Sequence, residues 1–288
     1  MIVATQSTLP GAWRENWPEY LIEGWALGTF MLSASIVVVL LESRQLPFRE
    51  LIPSPLIRRM LVGMAMGLTA FGLIYSRWGR RSGAHMNPAV TLAFLRLRLV
   101  RPIDGLFYIL AQTTGGTIGV LTGFLLTAGI LAAPEARWVV TVPGTCRPFV
   151  AFGVEFLMAM SLMLVVLQFS STPHLRSFTG CAAALLVAIF ITVAAPYSGM
   201  SINPARTLAS PIPSGIWTAF WIYLLAPPLG MVVAAEVHRW LLGGLLRHCA
   251  KLCHDHRTRC IHCGYTPSKD AAATNVQQPE PTSGRSHV

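Results

Sequence analysis

Charge is what this chain has least of. Of its 288 residues only 12% are Asp, Glu, Lys or Arg, whereas 53% are hydrophobic. A soluble domain carries roughly 25% charged residues, so a fold with a fully solvated surface is excluded. The deficit is concentrated. Runs 24–41, 60–76, 105–134, 156–175, 177–205 and 207–235 contain no charged side chain except for the gap at Arg206 between the last two. Each run is near or beyond the ~20 residues a helix needs to cross ~30 Å of hydrocarbon. The start also lacks the small-residue cleavage site of a secretory signal, so no cleavable leader is expected. The three aspartates, Asp104, Asp255 and Asp270, are all expected outside the spans, which carry no nucleophile–base pair and no cluster of metal ligands; an enzyme is not expected. Cys146 is the one cysteine expected in an outer loop, which rules out a disulfide framework within the chain.

The net charge of +10 belongs to topology rather than to nucleic acid. With six spans and both termini on the inside, the outer loops receive Arg44, Arg49, Arg58, Arg59, Arg137 and Arg147. The other fifteen Lys and Arg residues, Arg206 apart, fall inside. That bias fits the positive-inside rule and places both termini in the cytoplasm, with the chain spanning a plasma or inner membrane several times.

What the sequence has is a repeat. Ser82-Gly83-Ala84-His85-Met86-Asn87-Pro88-Ala89 returns as Ser198-Gly199-Met200-Ser201-Ile202-Asn203-Pro204-Ala205. Asn caps free backbone N–H groups, and Pro suits the first helical position, so each run predicts a helix start. Both starts sit between segments long enough to span, and neither leaves room for a full span. Each half therefore reads as a span with a glutamate near its start (Glu23, Glu155), a second span, a half-helix and a third span. Three spans per copy force the second copy to run in the opposite sense, with a polar path at the interface between copies. Small residues every fourth position (Gly24 and Gly28; Gly63 and Gly67; Gly115, Gly119 and Gly123) predict close helix packing. The expected division is a leader at 1–19, a channel domain at 20–246 (copies at about 20–130 and 149–246), and a tail at 247–288 that is Cys/His-rich and then disordered.

Each glutamate is expected to brace its half-helix loop by accepting buried N–H groups; the competing reading is a proton relay. The two Asn amides are expected to face a lumen, with positive helix ends opposing protons and cations. The carbonyls of Gly83, Ala84, His85, Gly199, Met200 and Ser201 would form a wall of acceptors. Arg206 is an intramembrane cation, costly unless it faces water.

On these residues the chain resembles the aquaporin (major intrinsic protein) family over about residues 18–245. The resemblance implies an all-α membrane fold of six helices plus two half-helices, a homotetramer with one pore per subunit, and passive conduction of water and small neutral solutes. It also implies a selectivity filter of Met66, Ile191, Met200 and Arg206, with Gly67 as the alternative to Met66 because of an extra residue within 77–81. Thr207 and the pair Phe220-Trp221 resemble the water branch, whereas the apolar filter suggests a broader glycerol or small-solute facilitator. A proton-coupled transporter using Glu23 and Glu155 is the alternative from another class.

The tail stands outside this resemblance. Cys260-Ile261-His262-Cys263-Gly264 is half of a zinc knuckle, and Cys249, Cys253, His254 or His256 could complete four ligands. No cofactor is required by the channel domain; for the tail, zinc, with a metal-sensing gate as its extension, competes with palmitoylated or simply reduced cysteines.

Overall fold

The computed structural model describes residues 8–144, 147–241, 249–254 and 258–267. Eight helices carry the architecture: α1 (Leu9–Glu42), α2 (Pro55–Tyr75), half-helix α3 (Pro88–Arg96), α4 (Pro102–Leu126), α5 (Pro148–Ser171), α6 (Thr179–Ser198), half-helix α7 (Pro204–Ala209) and α8 (Phe220–Leu241). Six of them are long and apolar enough to cross a membrane. Shorter helical turns at Phe48–Leu51, Arg77–Ser82 and Pro211–Ser214 join them. The order follows the sequence repeat, and the fold is an all-α inverted repeat.

Proline and capping residues set the helix starts. Pro lies in the first turn of α2, α3, α4, α5 and α7, where its missing N–H removes nothing from the hydrogen-bond ladder. Ser54 caps α2 through Ile57 N. In lipid there is no water to satisfy loose backbone groups, so such caps matter more than in a soluble helix.

α1 begins at Leu9, so most of the expected 1–19 leader is helix. The reason is a polar anchor at its start. Asp104, expected outside the spans, is buried in the first turn of α4, where it accepts from Tyr20 Oη at 2.6 Å and Asn16 Nδ2 at 3.2 Å and pairs with Arg101 at 2.6 Å. Arg81 pairs with Glu19 at 3.1 Å at the same end of the bundle.

Glycine decides how close α1 and α4 come. A Cβ on Gly115 would lie 2.0 Å from the Gly24 carbonyl oxygen, and one on Gly119 would lie 2.1 Å from that of Gly28. Backbone therefore rests on backbone, the contact that replaces the absent hydrophobic driving force between helices in lipid. Bulky apolar side chains such as Leu68, Leu125, Leu157 and Leu185 point outward, as a lipid-facing surface requires.

Candidate functional site

The two half-helix loops adopt the same conformation. Gly83, Ala84 and Met86 have φ of 110°, 54° and 50°; Gly199, Met200 and Ile202 have 80°, 52° and 50°. Left-handed backbone costs of order 1 kcal/mol or more at a non-glycine residue, and each loop carries two such residues. Something must hold them, and the glutamates do. Glu23, fully buried, accepts from Ser82 Oγ (2.7 Å) and His85 N (3.0 Å) on Oε1, and from Met86 N (2.7 Å) and Gln112 Nε2 (2.8 Å) on Oε2. Glu155, also fully buried, accepts from Ser198 Oγ (2.7 Å), Ser201 N (2.9 Å) and Ile202 N (2.6 Å).

Two tyrosines that the sequence did not single out add further support. Tyr108 donates to the Ser82 carbonyl at 2.7 Å and Tyr223 to that of Ser198 at 2.5 Å. His85 Nδ1 meets Thr91 Oγ1 at 3.1 Å, and Ser201 Oγ meets Thr207 Oγ1 at 2.5 Å. The sequence carries a weak signal for the pair: Tyr108 lies 21 residues after Asn87 and Tyr223 lies 20 after Asn203, each early in the third span of its copy.

Asn87 and Asn203 cap their half-helices and also stitch the loops together. Asn87 Oδ1 accepts from Ala89 N at 2.8 Å, and its Nδ2 donates to Ile202 O at 2.8 Å. Asn203 Oδ1 accepts from Ala205 N and Arg206 N at 3.1 and 3.2 Å, and its Nδ2 donates to Met86 O at 2.7 Å. The amides are expected to face a lumen, and both asparagines line the cavity described below. Each also gives one N–H to the opposite loop and keeps the other. Pro88, Ala89, Pro204 and Ala205 are buried where the half-helices begin, outside the lining of the cavity beside them.

That cavity, of about 400 Å³, runs between the two copies. Both asparagines line it, and so do Ala84, His85, Gly199, Met200 and Ser201 of the expected carbonyl wall. Gly83 does not. Its carbonyl accepts from Leu252 N at 3.1 Å, because the tail lies against it. Met66, Ile191, Met200 and Arg206 all line the cavity, together with Phe30, which the sequence did not single out. Between Met66 and Gly67 the packing is clear: a Cβ on Gly67 would lie 2.9 Å from the Ala184 carbonyl oxygen of α6, so Gly67 faces a helix while Met66 faces the lumen. Arg206 Nη1 is buried with no hydrogen-bond partner among the described residues. Glu42, Arg59 and Glu135 stand at one end of the cavity and Leu252 at the other.

The tail brings Cys249, His254, Cys260 and Cys263 together, with ligand atoms within 4.8 Å of one another. The hydrogen bond from Cys249, with His254 and Lys251 in support, holds the Cys260 thiol far below its usual range. Cys253 is not in this group; it packs against the apolar core. His256 and Cys146 lie outside the described residues, as do 268–288.

A bundle of six spanning helices with two braced half-helices meeting at a lined cavity is the architecture of a multi-pass membrane channel. A major intrinsic protein family model matches residues 17–238, and the chain belongs to that family, whose members are channels rather than enzymes. It is 35% identical over 174 residues to aquaporin NIP3-1 of Oryza sativa subsp. japonica, covering 60% of this chain and 54% of that protein. It is 32% identical over 181 residues to glycerol uptake facilitator protein-like 6 of Lactiplantibacillus plantarum, covering 61% and 82%. The match thus spans little more than half the length of the plant relative. The fold is shared with the aquaglyceroporin from Plasmodium falciparum, at TM-score 0.64 and 20% identity over 78% of this chain and 96% of that one.

Proposed function

We propose that this protein is a passive channel conducting water and small neutral solutes while excluding protons and ions. The observation that carries the proposal is the cavity that Asn87, Asn203 and Arg206 line together, with each asparagine amide reaching across to the opposite loop. A permeant must exchange water hydrogen bonds for wall groups, and the loop carbonyls and amide N–H groups offer both polarities. A guanidinium that lines the cavity together with two amide NH₂ groups repels cations.

Met66, Ile191, Met200 and Arg206 act as the selectivity filter. Its one polar side suits water and also tolerates a polyol that turns its carbons toward methionine and isoleucine. Relatives named as an aquaporin and as a glycerol uptake facilitator support that breadth. The channel sits in a plasma or inner membrane with both termini cytoplasmic, supported by the excess of Lys and Arg on one side. It assembles as a homotetramer with one pore per subunit, as the family does. Nucleic acid is not a partner.

Stopped-flow light scattering on reconstituted vesicles tests the proposal, first under an impermeant osmotic gradient and then under glycerol. Fast shrinkage followed by glycerol-driven reswelling is expected. Shrinkage without reswelling restricts the channel to water, and permeability equal to that of empty vesicles both with zinc and with a membrane-permeant chelator overturns it. The proton-coupled alternative requires flux driven by a pH gradient.

A further inference from the structure

The tail does not merely lie near the channel. Ala250, Lys251 and Leu252 are almost wholly buried at the mouth of the cavity, with exposures of 0%, 0% and 5%. Leu252 lines the cavity and donates its N–H to the Gly83 carbonyl. The Ala250 carbonyl meets His85 Nε2 at 3.0 Å. His262 stacks on His85 with ring centroids 5.5 Å apart and an interplanar angle of 11°, and its Nε2 meets the Ser82 carbonyl at 3.1 Å. Lys251 Nζ donates to Arg259 O at 3.3 Å, and Arg259 in turn donates to Asn16 of α1. The tail therefore sits on the first half-helix loop, α1 and α4 at once.

Ala250, Leu252 and Cys253 pack on the apolar core, and the chemistry at the two ends of the segment fixes its shape. Cys249 and His254 bracket residues 250–253, and both belong to the group that Cys260 and Cys263 complete. Cys249 Sγ lies 3.4 Å from Cys260 Sγ, and His254 Nε2 lies 3.3 Å from Cys263 Sγ. A tetrahedral zinc with bonds of about 2.0–2.3 Å places its ligand atoms roughly 3.3–3.8 Å apart, so these separations suit one ion. Gly264, at φ 73° and donating to the Cys260 carbonyl at 3.0 Å, makes the tight turn after the Cys-x-x-Cys pair. Three thiolates and an imidazole are a soft donor set that selects zinc over the hard divalent cations.

We propose that Cys249, His254, Cys260 and Cys263 bind one zinc ion, and that this ion closes residues 249–254 into a loop whose tip, Leu252, stops the lumen. The channel is shut with metal bound and opens when metal is withdrawn. The gating half rests on the channel function proposed above; the metal half does not. A flexible six-residue segment has many conformations, and only a cross-link between its ends restricts it to the one that fits the mouth.

The test uses the whole chain under a non-chelating reductant. Co(II) is the first probe. Thiolate-to-cobalt absorption saturating at one ion per chain, bleached by Zn(II) and lost in Cys260→Ser, is expected. Absence of that absorption in the intact chain overturns the metal site. Osmotic permeability is then compared in zinc-loaded vesicles and in vesicles treated with a membrane-permeant chelator. A rise of about tenfold or more is expected on chelation, as for a gate moved from mostly closed to mostly open. Leu252→Ala should raise permeability in the presence of zinc while leaving the cobalt spectrum unchanged, which separates the stopper from the metal. A normal spectrum with equal permeability under zinc, chelator and Leu252→Ala overturns the stopper. Permeability equal to that of empty vesicles in every state, with the spectrum intact, overturns the channel function and the stopper together.

Discussion

Replacing Glu23 by Gln tests whether the buried glutamates brace loops or relay protons. The substitution keeps the size of the side chain and exchanges one acceptor oxygen for an NH₂ group. If the NH₂ takes the place of Oε1, it faces Ser82 Oγ and His85 N. The hydroxyl can turn to accept, but the His85 N–H cannot and loses its partner. If the NH₂ takes the place of Oε2, it faces Met86 N and Gln112 Nε2. Gln112 can reverse its amide, since its Oε1 has no other partner among the described residues, but the Met86 N–H is orphaned. Either way one buried backbone donor is left unsatisfied, at a cost of about 1–3 kcal/mol. The surviving bonds also lose their charge assistance, which the cheaper desolvation of a neutral amide largely offsets. Glu155→Gln obeys the same logic, with Ser201 N or Ile202 N orphaned. The assay is thermal unfolding of the purified protein in detergent alongside osmotic flux in vesicles. Both variants should lose about 1–3 kcal/mol of stability and keep a flux that ignores an imposed pH gradient. Variants as stable as the parent, whose transport disappears or ceases to follow a pH gradient that drove the parent, would refute the bracing argument and establish a relay.

Four other substitutions probe the packing and the lumen. Arg206→Met should admit a proton or cation leak, read with a pH-sensitive dye trapped in vesicles. Gly115→Leu should prevent folding, because even its Cβ would overlap the Gly24 carbonyl; detergent extraction followed by size-exclusion chromatography would show aggregate in place of a defined particle. Ile191→His should lower glycerol permeability relative to water by adding a second polar side to the lumen, whereas Gly67→Ala should damage stability rather than selectivity because that position faces α6.

Periodicity and capping chemistry are local properties, so the spans, the two half-helices and their inverted arrangement are legible in the residues alone. An Asn before a Pro caps a helix wherever it sits, and twenty apolar residues can cross a bilayer whatever their neighbours. The bracing role of Glu23 and Glu155 was legible for a related reason: the repeat required two acceptors, and only these carboxylates occur at matching positions. Other features were decided by tertiary structure because they depend on which face of a helix meets which neighbour. Met66 and Gly67 are adjacent, and only the approach of α6 tells the lumen-facing residue from the packed one. Leu9–Pro18 looked like a polar leader until Asp104, far along the chain, proved to anchor the start of the helix. The asparagine amides looked free until the two loops came within hydrogen-bonding reach of each other. The tail held recognisable metal ligands in its sequence, but no pattern in residues 249–263 says that Leu252 lies in the lumen. That placement depends on the Gly83 carbonyl, the His85 ring and Asn16, groups spread over three elements that only folding brings to one mouth.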